Sequence, residues 1–272
     1  MDKYLIALDM DGTLLNKNKE IMPLTKSLLM ELSKEGHLIV LASGRPYRSL
    51  KPYYEELELT SPIILYNGAY VFDPKNESFP AHILTLPKEV IKDTIDKTSK
   101  YITNMMSETN TDIYLNHEDD YLDVFFFYEG MNLHYGDLKD TLNEDAMTFI
   151  ARVKDDVTKE QKEEMKSHFP TKEGINLRFW TASPYYELYY EHATKGACVK
   201  IIADHYNIPK ERIICFGDAL NDLEMLKEAK YGVAMSNGKE SIKKKASYVS
   251  LNDNENEGIY LTLKAILEGK LN

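Results

Sequence analysis

Short apolar runs without polar alternation are the feature that most restricts the fold of this chain. A strand that is buried on both faces lacks such alternation, and strands of this kind form parallel sheets that helices cover on both faces. Segments with a helical pattern separate the runs. The runs are YLIAL (4–8), HLIVLAS (37–43), PIILYNG (62–68), IICFGD (213–218), YGVAM (231–235) and SYVSL (247–251). The chain is therefore predicted to be an α/β protein with a parallel sheet at its centre.

The segment after the first run has the pattern of an amphipathic helix. In PLTKSLLMELSKEG (23–36), Leu24, Leu28 and Leu32 recur at four-residue spacing, and Gly36 suits a C-terminal cap. We therefore expect a helix whose apolar face these leucines form.

The middle of the chain, from about residue 83 to residue 189, has a different pattern. Helical and strand-like runs mix there without regular alternation, which indicates an α+β insertion. The parallel-sheet pattern resumes near Lys195, so residues 1–82 and 190–272 are expected to form one core domain and residues 83–189 an inserted domain. The predicted helices of the insertion are 87–101 and 158–169, and its predicted strands are 121–129, 147–153 and 177–182.

The charge and the composition restrict the partners and the compartment. A net charge of −11 argues against nucleic acid or an anionic membrane as a partner, because binding to phosphate backbones needs a surplus of Lys and Arg. The two cysteines, Cys198 and Cys215, lie in apolar stretches, and no leader-like segment opens the chain. No apolar run approaches the ~18–20 residues of a membrane span. We therefore expect a cytoplasmic protein.

The first motif that carries chemistry is DMDGTLL (9–15), at the end of the first predicted strand. Residues i and i+2 of a strand face the same side, so Asp9 and Asp11 would lie only about 6–7 Å apart along an extended chain. A metal ion, a shared proton or screening by water would each relieve their repulsion. A calcium loop is excluded, since Thr13 and Leu14 stand where that motif needs Asp or Asn followed by Gly.

Two further motifs lie where other strands end, which is where open α/β sheets bind ligands. LASGRP (41–46) places Ser43 before the start of a helix, whose N–H groups favour an anion, although Ser43 alone also suits a simple N-cap. HATKGACVKIIADHY (192–206) places Lys195 at a helix start, where a lone lysine is usually solvated.

The motif CFGDALNDLEMLKEA (215–229) repeats the order of strand, acidic residue and helix. Asn221 and Asp222 suit a helix cap and a helix N-terminus as well as a ligand site. Asp218 leaves a buried strand, and a buried carboxylate needs a partner. Together, Asp9, Asp11 and Asp218 with one lysine and a helix N-terminus suit Mg²⁺ and a phosphate group.

The chain resembles the haloacid dehalogenase-like phosphatases over essentially its full length. Four motifs carry this resemblance and have the same order as in that family: DMDGT, the serine of SGRP, the lysine of KG, and GDALND. The large insertion between the second and third motifs is similar to that of the Cof-type subfamily with a C2B cap. The resemblance implies a Rossmann-like parallel-sheet core with an inserted α+β cap domain. The Asn67-Gly68-Ala69 triplet also recurs in the subfamily, and a role near the substrate is expected for it.

The resemblance implies a role for each matching residue. Asp9 would be the nucleophile, Asp11 the general acid and base that also gives a backbone carbonyl to the metal, and Asp218 a Mg²⁺ ligand. The phosphoryl group would be held by Ser43, the amide of Gly44 and Lys195, with Asn221 as a further contact and Asp222 orienting the ligands.

The expected function is that of a Mg²⁺-dependent phosphatase acting on a small-molecule phosphate ester, either a sugar phosphate or a phosphorylated cofactor. A phosphomutase or phosphotransferase of the same family and a non-catalytic phosphate-ligand sensor are the alternatives. The insertion is rich in aromatic residues, for which packing in the core is expected more than a ring-stacking site. These residues are Phe125, Phe126, Phe127, Phe179, Trp180, Tyr185 and Tyr186.

Overall fold

The computed structural model describes residues 3–180 and 183–271, and all elements below lie in these two ranges. The strands are β1 (Leu5–Asp9), β2 (Leu38–Ala42), β3 (Ile63–Leu65), β4 (Tyr70–Phe72), β5 (His82–Ile83), β6 (Ile102–Glu108), β7 (Asp112–Leu115), β8 (Asn132–Tyr135), β9 (Thr148–Val153), β10 (Ile175–Phe179), β11 (Tyr185–Tyr190), β12 (Ile213–Gly217), β13 (Tyr231–Ala234) and β14 (Tyr248–Val249).

The helices alternate with these strands in the first and last parts of the chain. They are α1 (Pro23–Lys34), α2 (Tyr47–Glu56), α3 (Lys88–Thr98), α4 (Asp120–Phe126), α5 (Leu138–Thr141), α6 (Lys159–Lys166), α7 (Lys195–His205), α8 (Leu223–Glu228), α9 (Glu240–Lys243) and α10 (Gly258–Leu267). None of the helices in the described part of the chain combines the length and the hydropathy that a membrane span requires.

Residues 1–82 and 194–272 form one compact unit, whose sheet has the strand order β14-β13-β12-β1-β2-β3-β4-β5 in the described residues. β1 lies between β12 and β2 and is parallel to both, with Leu5 opposite Ile213 and Leu38. All five residues of β1 are buried, as are those of β12. The predicted α/β fold with a parallel sheet is confirmed, and the carboxyl ends of β1, β2 and β12 lie at the same edge.

One edge of this sheet departs from the parallel arrangement. β4 is antiparallel to β3, with Ile64 opposite Val71, because a tight turn at residues 66–68 sends the chain straight back. The antiparallel pair places that turn at the carboxyl end of β3, at the same edge as the ends of β1 and β2.

Helix α1 forms as predicted, and Gly36 adopts a φ of +89° just beyond its C-terminus. The predicted leucine stripe holds at Leu32, which is buried, and at Leu28, which packs partly buried against the core, but Leu24 is 51% exposed. The buried positions of the helix are Thr25, Leu29 and Leu32. Leu24 lies in the first turn and faces away from the sheet. A stripe with steps of four and three residues follows the helical period more closely than a step of four alone.

Residues 83–193 form the second compact unit, with a sheet of strand order β10-β11-β9-β6-β7-β8 within the described residues. Its pairs are antiparallel except for β7 with β8. The predicted helices appear as α3 and α6, and the predicted strands 147–153 and 177–182 appear as β9 and β10, with residues 181 and 182 outside the described residues. The unit ends in a turn after β11, in which the Ala193 N–H donates to the Tyr190 carbonyl.

The predicted strand 121–129 is wrong, since this segment forms the helix α4. The carboxylate of Asp119 accepts a hydrogen bond from the Leu122 N–H and caps the helix. Leu122 and Phe126, four residues apart, are the buried positions, and Phe127 ends the helix with a φ of +51°. The three consecutive phenylalanines favour a strand, but the cap and the helical spacing of the buried pair prevail.

The aromatic residues of the second unit divide between core and surface. Phe126, Tyr185 and Tyr186 are buried, as the expectation of core packing requires, whereas Phe127 is 49% exposed. The hydroxyl of Tyr185 donates to the buried carboxylate of Asp119, so a polar contact accompanies the packing of this ring.

Candidate active site

The loop after β1 turns sharply at Gly12 and carries Asp11 away from the strand direction. The Leu14 N–H donates to the Asp9 carbonyl at 3.1 Å, and Gly12 has a φ of +84°. A Cβ atom on Gly12 would lie 2.8 Å from Asp218 Oδ2, so only glycine lets this turn lie against the end of β12. Asp9 and Asp11 therefore do not share one face of an extended strand.

Lys195, like Asp222, is a charged residue of the site with no exposed surface. It begins α7, and its Nζ donates to Asp9 Oδ1 at 2.5 Å and to Asp222 Oδ1 at 2.6 Å. Burial alone lowers the pKa of Lys195, but the carboxylates of Asp222 and Asp9 raise it well above its ordinary value. The ammonium group is thus charged at all physiological pH values, and the interpretation of Lys195 as a solvated lysine is excluded.

Asp222 folds back onto the end of β12. Its Oδ2 accepts hydrogen bonds from the N–H groups of Asp218 and Ala219, both at 3.0 Å, while its Oδ1 accepts from Lys195. A Cβ atom on Gly217 would lie 2.4 Å from the Asp222 Cβ, so glycine is required for this close approach. Since both of its oxygens are bound by the chain, Asp222 fixes the loop and the lysine.

Asp9, Asp218 and Asp222 offer carboxylate oxygens that all lie within 4.8 Å of one another. Three carboxylates and the ammonium group of Lys195 give the cluster a formal charge of −2. Burial, and then the charge of Asp222, raise the pKa of Asp9 well above its ordinary value and that of Asp218 to about 6. Oxygen donors with an excess of negative charge are the ligands that a hard divalent cation such as Mg²⁺ prefers, so the residues fit this ion.

The carboxylate of Asp11 is held by two cations. The guanidinium of Arg45 donates from Nε to Oδ2 at 2.8 Å and from a terminal nitrogen to Oδ1 at 2.7 Å, and Lys19 Nζ donates to Oδ1 at 2.6 Å. Arg45 is buried, and Lys19 lies in the tight turn between Leu15 and Ile21. Sequence reasoning missed both residues, although Arg45 stands inside the SGRP motif.

Ser43 and Gly44 lie in the loop between β2 and α2. The Ser43 Oγ accepts from the Arg45 N–H at 3.2 Å, while the N-cap of α2 is Pro46, so Ser43 is not the cap of this helix. The Asn221 Nδ2 donates to Asn67 Oδ1 at 3.0 Å rather than capping a helix. Each of these side chains is at the carboxyl edge of the sheet, as predicted from the strand ends.

The comparisons with known proteins agree with this architecture. A sequence model of the haloacid dehalogenase-like hydrolase family matches residues 6–263. The chain is 37% identical over 266 residues to a 5-amino-6-(5-phospho-D-ribitylamino)uracil phosphatase of Bacillus subtilis, with 96% of each chain covered. A second Bacillus subtilis phosphatase with the same named substrate is 25% identical over 251 residues, which cover 92% of this chain and 90% of the relative.

A solved structure shows the same fold. The crystal structure of a haloacid dehalogenase-like hydrolase from Bacteroides thetaiotaomicron has a TM-score of 0.79 at 27% identity, and the match covers 97% of this chain and 100% of that chain. The relatives named as phosphatases confirm the enzyme class expected from the sequence, a phosphoric monoester hydrolase. The family model matches most of the chain, and these relatives match nearly all of it. The chain therefore belongs to the haloacid dehalogenase-like hydrolases.

Proposed function

We propose that the protein is a Mg²⁺-dependent phosphatase that hydrolyses a small phosphorylated metabolite through an aspartyl-phosphate on Asp9. The observation that carries this proposal is the buried cluster in which Lys195 lies between Asp9 and Asp222, next to Asp218. A carboxylate can attack phosphorus only where the charges of both groups are compensated, and the ammonium group of Lys195 supplies part of that compensation.

The metal ion would be held by the carboxylates of Asp9 and Asp218 and by the backbone carbonyl of Asp11. Bound there, Mg²⁺ supplies positive charge that lowers the repulsion between the nucleophile and an incoming phosphate. Asp222 takes no direct part in this scheme, because Lys195 and two backbone N–H groups already bind its oxygens.

The remaining residues bind and orient the phosphoryl group. Ser43 Oγ, the Gly44 N–H and Lys195 Nζ are donors suited to its oxygens, and the Asn221 amide is a further donor. Lys195 also keeps one oxygen of Asp9 engaged, which leaves the other oxygen of that carboxylate to attack. These donors come from the loops that follow β2 and β12 and from the start of α7, all of which belong to the first compact unit.

Asp11 is the proposed proton donor to the leaving alcohol and the base that activates water in the second step. Three charge-assisted hydrogen bonds from Arg45 and Lys19 occupy this carboxylate. Two of these bonds go to Oδ1 and one to Oδ2, so Arg45 and Lys19 fix the orientation of the carboxylate while Oδ2 keeps a second lone pair for a proton.

The substrate is inferred from the relatives. Two phosphatases that this chain resembles are named for 5-amino-6-(5-phospho-D-ribitylamino)uracil, a phosphate ester of a sugar alcohol joined to a heterocycle. We infer that the substrate belongs to this class of ester and that residues 83–193 are the cap that selects it.

The test is release of inorganic phosphate by the purified protein from that ester and from a panel of sugar phosphates and phosphorylated cofactors. We expect turnover with Mg²⁺, loss of turnover in excess chelator, restoration by Mg²⁺ and poor restoration by Ca²⁺, whose looser coordination misplaces the nucleophile. Full activity in chelator would contradict the metal assignment. Activation by trace bisphosphate without phosphate release would identify a phosphomutase, and ligand binding without any turnover would identify a sensor.

A further inference from the structure

Two consecutive residues in the turn between β3 and β4 have left-handed backbone conformations although neither is glycine. Tyr66 has a φ of +48°, and Asn67 has a φ of +58° with a ψ of 19°. Such conformations are uncommon outside glycine and persist where the surrounding structure holds them. The contacts of this turn therefore need an explanation.

The turn contacts both loops that are proposed to bind the phosphoryl group. The Asn67 N–H donates to the Ser43 carbonyl at 2.9 Å, and the Tyr66 N–H donates to the Arg45 carbonyl at 3.4 Å. On the other side, a Cβ atom on Gly68 would lie 2.4 Å from the Thr194 carbonyl oxygen. The backbone of the turn is thus packed between the loop after β2 and the start of α7.

The side chain of Asn67 joins two further groups of the site. Its Oδ1 accepts from Asn221 Nδ2 at 3.0 Å, and its Nδ2 lies 2.9 Å from the position that a Cβ atom on Gly44 would occupy. An amide nitrogen has two N–H groups, so the bond to Asn67 uses one and leaves the second on Asn221 for another acceptor. The bond also fixes the rotation of the Asn221 amide.

We propose that Asn67 is a positioning residue, which orients the Asn221 amide and keeps the loop at Gly44 in place for binding the phosphoryl group. The proposal rests on the proposed phosphatase function. The left-handed conformation of Asn67 is part of the device, since it lets the backbone N–H reach Ser43 while the side chain reaches Asn221. Asparagine tolerates this conformation better than most residues, which fits its presence here.

The decisive variant is Asn67→Gly, because glycine accepts the left-handed conformation while the side-chain amide is removed. We expect the melting temperature to stay within about 2 °C of the wild type. We expect kcat/KM for phosphate release to fall about tenfold, the effect of losing one orienting hydrogen bond. If Asn67 served only to form the turn, Asn67→Gly would retain wild-type activity, and the proposal would be wrong.

The chain offers a matched control in Asn207, which has a φ of +55° and is exposed after α7. Its N–H donates to the Asp204 carbonyl, outside the candidate site. Asn207→Gly removes an asparagine side chain from the same backbone conformation and should leave both kcat/KM and the melting temperature unchanged.

A double-mutant cycle tests the partner. If Asn67 acts through Asn221, then Asn67→Gly and Asn221→Ala should be less than additive in their effects on kcat/KM, since each removes the same bond. Strict additivity would overturn the assignment of Asn221 as the group that Asn67 orients.

Binding of inorganic phosphate in the presence of Mg²⁺, measured by calorimetry, separates this proposal from the proposed function. A wild-type protein that binds phosphate but hydrolyses no ester would contradict the phosphatase function alone. Weaker binding by about tenfold in Asn67→Gly would then still support the positioning role. Equal binding by the variant and the wild type, or no binding by the wild type, would contradict it.

Discussion

Asp9 and Asp11 are separated by one residue, yet their carboxylates have different surroundings. Asp9 is buried and bonded to Lys195, whereas the side chain of Asp11 is 33% exposed and held by Arg45 and Lys19. A nucleophile benefits from fixed orientation and an acid from access to solvent and to the leaving group, so the two environments agree with the two proposed roles.

The two roles predict different behaviour of the asparagine variants. Asp9→Asn should abolish turnover of every ester, since an amide cannot form the acyl-phosphate. Asp11→Asn should still transfer the phosphoryl group from nitrophenyl phosphate, whose leaving group needs little protonation, and should then stall because water lacks its base. Rapid mixing should show a burst approaching one nitrophenol per enzyme, and no burst with an alkyl phosphate. Steady turnover by Asp11→Asn, or a burst from Asp9→Asn, would contradict the assignment.

The two thiols are predicted to be inert in the folded protein. Burial raises the pKa of Cys198 to about 12 and that of Cys215 well above its ordinary value. At pH 8 a thiol of pKa 12 is ionised in only about one molecule in 10,000, and a raised pKa lowers the thiolate fraction at every pH below it. A disulfide exchange reagent should therefore label neither cysteine in the native state and both after denaturation. Rapid labelling of the native protein at pH 8 would contradict the burial.

At the scale of the helix, α1 has a cap that comes from the far end of the sequence. The side chain of its own N-cap residue, Met22, makes no hydrogen bond that caps the helix. The carboxylate of Glu257 accepts from the N–H groups of Leu24 and Thr25 and from the Thr25 hydroxyl, at 2.7–2.9 Å. A negative charge at this position also complements the helix dipole.

Glu257→Ala should lower the free energy of unfolding by about 1–2 kcal/mol, the usual effect of losing an N-cap, and Glu257→Gln by about half as much. The control is Glu58→Ala, since Glu58 has a similar φ of +52° and an exposed ion pair with Lys34. That change should stay within about 0.5 kcal/mol. Urea unfolding followed by circular dichroism measures the free energy of unfolding of all three variants. Equal decreases in this free energy for Glu257→Ala and Glu58→Ala would show that relief or loss at the left-handed backbone position, rather than loss of the cap, causes the effect.

Helices and strands with a strong pattern in their own residues could be predicted from the sequence. Those in which two patterns favour different structures could not. β1 is a continuous apolar run that ends in an aspartate, and a glycine lies just beyond the C-terminus of α1, so both elements follow from residues close together in the sequence. The helix α4 was missed because its three phenylalanines favour a strand, while the cap by Asp119 decides the structure. The antiparallel return of β4 was also missed, since it depends on the left-handed turn after β3.

At the scale of the whole molecule, the carboxylate cluster links stability to pH. The pKa of Asp218 is raised from its ordinary value of 3.8 to about 6, and that of Asp9 is raised in the same direction. A raised pKa means that the folded state favours the protonated form, so the stabilisation is complete below about pH 4 and is lost as the pH rises through about 6. In the metal-free protein this contribution to the free energy of unfolding should therefore decrease over that range.

Mg²⁺ should reverse this loss, because the ligands proposed for it are the deprotonated carboxylates. We expect the increase in melting temperature on adding Mg²⁺ to be larger at pH 8 than at pH 5 in scanning calorimetry. In Asp218→Asn the increase should be small at both pH values. An increase that is equal at pH 5 and pH 8 in the wild type would contradict a site built from these carboxylates.

The location of the site could be predicted from the sequence, whereas the pairing of its side chains could not. Each predicted site residue lies at the end of a strand, in the segment after one, or at the start of a helix at the carboxyl edge of the sheet, which is a consequence of parallel topology. The bond between Asn67 and Asn221 joins residues that are 154 positions apart, and Arg45 and Asp11 are 34 apart. Such pairs depend on the register of neighbouring strands and on loop shape, which local patterns do not contain.

The position of β1 between β2 and β12 has a consequence for the synthesis of this protein on the ribosome. β2 follows β1 within 40 residues, but Leu5 pairs with Ile213 on its other side, and Lys195 is 186 positions from Asp9. A growing chain therefore presents one open, apolar edge of β1 until β12 has emerged, while residues 83–193 are contiguous and can fold earlier. No nascent chain that ends before Lys195 contains the ammonium partner of Asp9, so catalysis has to wait until the first unit is closed from both of its segments.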